Sequence, residues 1–522
     1  MIRQVRIIPE GDGKTLLALL REAGCRLSAD CGGRGRCGRC RVRFLSGAPE
    51  ASEADRAVLA EELLRDGWRL ACRAVPVGEA VVEVDDSPEE AIHAAADFRG
   101  TQDVLSVSEE TGTEKSRLFL HDRKSVENVI AVDVGTTTIA AAKLPSDPPD
   151  VLPGEEGTDE AEKAACVNSQ RSFGADVISR MAASNAGEGG RLQEALLRDL
   201  EGLAGQLGIS PETFADGEKT EVVISGNTTM QHLLQGLSCR TLGAAPYTPV
   251  DISLHRWRNM TLLPGVSTFV GADIVSGIVA CGMDRREEIT LLIDLGTNGE
   301  MVLGNRDKRL CASTAAGPAF EGGNISCGMA GVPGAVSAVE IVSGRPVVKT
   351  LGGMPPKGLC GTGVLETVYE LLKEEIIDET GLLDDAYFED GYPLAEGVVF
   401  TAKDVREVQL AKAAVRAGIE VLLEVYGIGY EDVEKVWLAG GFGERLNAAK
   451  AVGIGLIPEE FLGRIVPVGN SSLAGAILAA GGSVPPERFA AAAAGTEEAE
   501  LSSNPLFNEL YVEHMLFPET ED

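Results

Sequence analysis

Four cysteines set the first constraint on this chain. Cys31, Cys37 and Cys40 stand close together, and Cys72 follows in Trp68-Arg-Leu-Ala-Cys72. Three thiolates at such spacing can wrap one side of a compact cluster, and a fourth from a later segment closes it. Gly32, Gly33, Gly35 and Gly38 lie between the first three. A loop drawn around inorganic sulfide needs their permissive dihedrals and close backbone approach, and its amide N–H groups tune the potential by pointing at the sulfurs. Zinc is the competing occupant. It usually draws its thiolates from paired knuckles, whereas only Cys37 and Cys40 form such a pair here. The expectation is therefore one [2Fe-2S] cluster on Cys31, Cys37, Cys40 and Cys72.

Flanking patterns suit a small domain that presents this loop. Arg3-Val5-Ile7 and Arg41 to Phe44 alternate as strands, Leu16 to Glu22 reads as a short helix, and Val81 to Val84 reads as a closing strand. The segment resembles the [2Fe-2S] ferredoxins, with a spacing closer to the vertebrate and bacterial redoxin variety. Cys25 falls outside that pattern and reads as core. Arg34, Arg36, Arg39, Arg41, Arg43 and Arg73 border the loop and are expected to form a basic rim, facing an acidic electron partner or the acidic remainder of the chain.

That remainder is long. A chain of 522 residues is too large for one ordinary core, so two to four domains are expected. The net charge of −33 resides beyond the first domain, which is slightly basic, and it argues against a general nucleic-acid binder. No apolar run reaches the length of a membrane span, and the N-terminus alternates like a strand with no signal-peptide core, so a cytoplasmic protein without a membrane anchor is expected. Eleven cysteines are too few for a disulfide-dense secreted fold. Residues 86–125 are polar and aperiodic and read as a linker, and Pro145 to Glu162 reads as an exposed insert.

Beyond the linker the sequence repeats itself. Val129-Ile-Ala-Val-Asp133-Val-Gly135-Thr136-Thr137 matches Thr290-Leu-Leu-Ile-Asp294-Leu-Gly296-Thr297-Asn298, and Glu221 to Met230, with Gly226 and Asn227 at its turn, parallels Lys435 to Gly443. Helical periods lie between these strands, which suggests two α/β lobes. Each turn has a chemical reading. Backbone N–H groups and hydroxyls of Gly-Thr-Thr can grip phosphate oxygens, while the preceding Asp133 or Asp294 holds Mg2+ through water. The nearly bare turn Gly440-Gly441-Phe442-Gly443 suits close approach to an adenosine. No Gly-x4-Gly-Lys-Ser/Thr loop is present, which disfavours the P-loop class.

In this order the motifs resemble the actin-like ATPase superfamily, in which two ribonuclease-H-like lobes close on Mg-ATP. The resemblance implies that Asp133 to Thr138 is the first phosphate motif, Asp294 to Asn298 the second, and Leu438 to Gly443 the adenosine motif. The complete order is nearer to the reductive activators of corrinoid-dependent proteins. That likeness takes in Ser169-Gln-Arg-Ser-Phe-Gly174-Ala-Asp176-Val-Ile-Ser-Arg180, Gly271-Ala-Asp273 and Ala312 to Gly322, with individual roles left open. It implies a [2Fe-2S] ferredoxin-like β-grasp domain (1–85), a linker (86–125), two actin-like lobes (126–288 and 289–490) and a tail on the body (491–522).

It further implies ATP-dependent transfer of one electron to a Co(II) corrinoid carried by a partner methyl-transfer protein, regenerating Co(I). A low-potential cellular donor would reload the cluster, and a homodimer is compatible with such bodies. Three alternatives stay open at this point: an ATP-driven donor to a radical dehydratase, which Cys327 and Cys360 could serve as a cluster pair; a metabolite kinase with a redox-sensing domain; and a chaperone or scaffold whose cluster senses oxidation.

Overall fold

The computed structural model describes residues 2–9, 13–25, 27–29, 31–85, 126–145, 161–443 and 446–518. The expected linker and most of the polar insert fall outside them.

The N-terminal unit is a four-stranded antiparallel sheet of β1 (Ile2–Ile7), β2 (Arg41–Ser46), β3 (Trp68–Leu70) and β4 (Ala80–Asp85), in the order β1-β4-β2-β3. Alternation puts Val5, Ile7, Val42, Phe44, Val82 and Val84 on the buried face. The helix Leu16–Glu22 starts at Thr15, whose hydroxyl accepts from the Ala18 amide, and lays Leu16, Leu17 and Leu20 onto that face. Cys25 is buried in this core.

One buried carboxylate ties the unit together. Asp55 caps its own helix through the Ser52 amide and hydroxyl, at 2.7 and 2.6 Å, and also accepts from the Leu70 amide at 2.7 Å. Ala71 next donates to the Cys40 carbonyl at 2.8 Å, so the turn carrying Cys72 is pinned against the loop carrying Cys40. Replacing Asp55 by alanine leaves those buried donors unpaired and is expected to destabilise this unit by about 3 kcal/mol. Thermal bleaching of the cluster's visible absorption at a lower temperature, with the body's melting unchanged, would be the signature.

The body contains two six-stranded sheets that share a five-strand order, with the sixth strand on opposite edges. In the first, β5 (Asn128–Val134), β6 (Thr138–Leu144), β7 (Glu162–Val167), β8 (Thr220–Gly226), β9 (His255–Trp257) and β10 (Met260–Leu262) run β7-β6-β5-β8-β10-β9. In the second, β11 (Thr290–Asp294), β12 (Glu300–Gly304), β13 (Arg309–Ser313), β19 (Lys435–Ala439), β20 (Ile465–Gly469) and β21 (Thr496–Glu498) run β20-β19-β11-β12-β13-β21. Between β13 and β19 the chain adds β14 (Ala335–Val342), β15 (Arg345–Thr350) and β16 (Gly358–Leu359) as a small sheet, then the hairpin β17 (Tyr392–Ala395) and β18 (Val398–Phe400). In both large sheets the first strand, β5 or β11, pairs antiparallel with the next strand and parallel with a later one, β8 or β19. The repeated segments of the sequence thus occupy equivalent places.

The lobes are joined by exchanged helices. Ala272–Ala280 follows β10, and Ser471–Ala480 follows β20. They pack on each other and on both sheets, in one core that includes Val129 and Val223 of the first lobe with Leu292 and Trp437 of the second. The crossing is close: a β-carbon on Gly475 would lie 2.6 Å from the Ser276 carbonyl oxygen. Ser225, Ser276 and Ser472 satisfy one another inside this junction, with Ser225 Oγ 2.8 and 2.9 Å from the other two.

The longest helix, Ala402–Tyr426, begins in a capping box between Thr401 and Asp404 and ends at Gly427 in the left-handed conformation, φ 86°. Its buried Lys412 donates to the carbonyls of His514 and Leu516 at 2.7 and 2.6 Å, and Gln409 donates to the Met515 carbonyl at 2.8 Å. The chain's last described segment is held by this clamp, with Phe517 buried beside the Lys412 ammonium. No helix among the described residues is long and apolar enough to cross a membrane.

Candidate functional site

The loop between the helix Leu16–Glu22 and β2 brings the four sequence-selected cysteines into two pairs. Cys31 and Cys37 share a hydrogen bond, and so do Cys40 and Cys72. Gly32, Gly33, Gly35 and Gly38 all have φ between 60° and 82°, the region only glycine enters freely. Their turns aim amides at sulfur: Cys31 accepts from Arg34, Arg36 and Cys37, Cys37 from Arg39, and Cys72 from Gly35. Burial pushes each thiol up. The three amides outweigh it at Cys31, which falls to about 7, while Cys37 rises to about 11.

Two pairs of thiols fit two irons, each taking two thiolates. A structural zinc would draw all four onto one tetrahedral point, whereas these thiols stand as two pairs. The donor set therefore fits the [2Fe-2S] assignment. Cys360 is used differently, buried with its thiol on the Val336 carbonyl and the Thr362 hydroxyl, each at 3.2 Å.

The arginines expected to form one rim divide their work. Arg43 pairs with Asp66 and Glu83, and Arg73 donates to the Arg34 carbonyl. Arg39 reaches the body, where its guanidinium meets the Gly328 carbonyl at 3.5 Å. Arg34 and Arg36 are exposed.

The second centre lies where β5, β8, β11 and β19 end. Gly226 sits against β5, where a β-carbon would be 2.6 Å from the Val134 carbonyl oxygen. Beside it Asn227 donates to Thr136 Oγ1 at 3.0 Å, which brings the turn of Gly135, Thr136 and Thr137 against the turn of Gly226 and Asn227. Gly440, at φ 89°, turns directly over Asp294, where a β-carbon would lie 2.8 Å from the carboxylate. Gly441 faces open space. The side chain of Phe442 lies outside the described residues. Asn298 donates to Glu300 at 2.8 Å, ordering the turn of Gly296, Thr297 and Asn298.

Asp133 accepts from Asn470 Nδ2 at 2.9 Å and from Ser472 Oγ at 2.7 Å. Desolvation nevertheless raises its pKa. Asp294 is pushed up to about 8 by desolvation and by the charges of Asp273, Asp133 and Glu321, and Asp273 to about 7 by desolvation and Asp133. Such mutual repulsion is relieved by a cation or by donors. Among the described residues no three of these carboxylates converge on one point.

Several residues here were not singled out from sequence. Asn470 and Ser472 follow β20 as Gly469-Asn470-Ser471-Ser472, which repeats Gly226-Asn227-Thr228-Thr229 after β8, and both asparagines cap the following helix. That second repeat was the available signal. Glu321 stood within the small-residue segment Ala312 to Gly322 with no role attached. It accepts from Thr137 Oγ1 at 2.6 Å and from Thr297 N and Oγ1, each at 3.0 Å, joining the two phosphate turns across the lobes.

The two centres are physically continuous. Asn168 bonds both ends of the turn Gly135 to Thr137: its backbone N donates to the Thr137 carbonyl and its side chain to the Gly135 carbonyl, each at 2.9 Å. The segment it opens then meets the cluster unit. Arg171 donates to Ser28 Oγ at 3.2 Å, and Arg21, near Cys40 and Cys72, stacks on Phe173 with 4.2 Å from guanidinium carbon to ring centroid.

Three family profiles match this chain: a 2Fe-2S iron-sulfur cluster binding domain over residues 2–77, the RACo middle region over 129–286, and the C-terminal domain of RACo, the ASKHA domain, over 288–522. The corrinoid activation enzyme RamQ of Eubacterium limosum is 31% identical over 430 residues, covering 74% of this chain and 70% of that protein. The [Co(II) methylated amine-specific corrinoid protein] reductase of Methanosarcina barkeri is 34% identical over 233 residues, covering 40% of this chain and 42% of that protein. A solved structure of a reductive activator for corrinoid, iron-sulfur protein superposes with a TM-score of 0.65 at 26% identity, over 99% of both chains.

Proposed function

The chain belongs to the reductive activators of corrinoid-dependent proteins, a [2Fe-2S] domain joined to an ASKHA-type ATPase body, and from that premise we propose that it uses ATP to drive one electron onto a Co(II) corrinoid held by a methyl-transfer protein. The product is Co(I). The observation that carries the reading is the continuity of the two centres: the segment that hydrogen-bonds the first phosphate turn at Asn168 is also the surface on which the cluster unit rests, through Arg171 and Phe173.

When bound, the cluster supplies electrons singly and Mg-ATP supplies the free energy for an uphill transfer. Cys31 with Cys37, and Cys40 with Cys72, would hold the two irons, with the loop amides placed to stabilise charge on sulfur. In the body, Gly135, Thr136, Thr137, Gly296, Thr297 and Asn298 grip phosphate oxygens, and Gly226 and Asn227 brace the first of these turns. Asp133 and Asp294 would hold Mg2+ through water, and Gly440, Gly441 and Phe442 would border the adenosine. A low-potential cellular donor reloads the cluster.

The test is spectroscopic. The anaerobic, pre-reduced protein is mixed with a Co(II) corrinoid methyl-transfer protein, with and without Mg-ATP. Co(I) absorption is expected only with ATP. Confirmed partner binding with no Co(I) in either case would turn attention to a different electron acceptor.

A further inference from the structure

Glu321 engages the donors that a nucleotide phosphate would need. Its carboxylate takes Thr137 Oγ1 from one lobe and both Thr297 N and Oγ1 from the other. A carboxylate is the side chain closest in charge and acceptor geometry to a phosphate edge. Its presence spares the cleft a set of half-buried donors without acceptors.

A second, independent observation lies behind the first turn. Arg180, on the helix Val177–Ala183, is completely buried. Its Nε donates to the Gly174 carbonyl at 2.9 Å and its Nη1 lies 3.3 Å from Met230 Sδ, but Nη2 has no partner among the described residues. A buried guanidinium left partly unsatisfied is costly unless another state completes it. Of the acidic groups that act on Arg180, Asp176 accepts from the Ser179 amide and Asp199 from Ser169, while among the described residues Glu321 accepts from Thr137 and Thr297 alone.

We propose that Glu321 is a built-in anion standing in for a nucleotide's terminal phosphate, and that Arg180 receives it once the phosphate has displaced it. The inference rests on the ATP reading above and adds an exchange to it: one anion leaves the threonines as another arrives, and the displaced carboxylate completes the buried guanidinium. Chain neighbours of both groups touch the cluster unit. The chain beyond Glu321 leads to Gly328, which meets Arg39, and the segment before Arg180 carries Phe173, which meets Arg21.

Calorimetric titration of the full-length protein with a non-hydrolysable ATP analogue and with ADP tests the exchange. Glu321→Gln keeps the shape and removes the competing charge, so the analogue should bind about tenfold tighter, while ADP gains less than about twofold. Arg180→Lys should weaken the analogue about fivefold in the otherwise unaltered protein, yet have no further effect in the Glu321→Gln background. Weaker or unchanged analogue binding by Glu321→Gln overturns the exchange, and an undiminished Arg180→Lys penalty in the double variant overturns the role of Arg180. Should Arg180→Lys fail to fold by circular dichroism, the Glu321→Gln titrations decide alone. An unaltered protein that binds neither nucleotide removes the ATP site itself, and the exchange with it.

Discussion

Cys72→Ala is expected to leave ATP hydrolysis near its unaltered rate while reducing Co(I) formation by more than about 10³-fold, because the electron chemistry belongs to the cofactor. Cys72 shares a hydrogen bond with Cys40 and accepts the Gly35 amide, so its loss removes one of the two thiolates from one iron. The other thiol pair, Cys31 and Cys37, cannot close around two irons. Visible absorption and electron paramagnetic resonance would report the missing cluster, and a phosphate-release assay would report the intact body. Co(I) produced at an undiminished rate would mean that the electrons pass by another route.

The reciprocal result is expected from Asp294→Asn. The amide has the same shape and keeps its place beneath Gly440, but it cannot supply the charge that holds a hydrated Mg2+. ATP turnover should fall about 10²- to 10³-fold, the scale on which a single preorganised electrostatic contact acts, and Co(I) formation should fall with it. The cluster spectrum should be unchanged. Turnover within about twofold of the unaltered protein would reduce Asp294 to a strand-end residue with no part in the chemistry. Together the two variants separate the electron carrier from the motor.

What the sequence made legible follows its periodicities. The turns that end β5 and β11 could be read because each follows a largely buried apolar strand, such as Asn128–Val134, whose run is then broken by Gly135 and threonines. The cysteine loop could be read because its glycines and thiolates are local. Contacts between segments distant in the chain carry no such signature. Glu321 bridges Thr137 and Thr297 with no local pattern to betray it, and Asn470 reaches Asp133 across 337 positions, its one local trace being the repeat of Gly226-Asn227 at Gly469-Asn470. The arginines next to the cluster show the same limit. Composition marks them as basic, but only geometry distinguishes Arg43, spent on Asp66 and Glu83, from Arg39, which reaches the body.

The carbonyl clamp on the helix Ala402–Tyr426 has a consequence for biosynthesis. Lys412 and Gln409 find acceptors at His514, Met515 and Leu516, more than 100 positions later in the chain. Until those carbonyls leave the ribosome, a nascent body must either delay packing this helix or bury an ammonium group with nothing to bind it. A transcript broken upstream of that segment would therefore yield a chain that carries every cysteine and every phosphate turn but cannot settle, leaving it to the proteases instead of leaving a half-made electron donor at large in the cell.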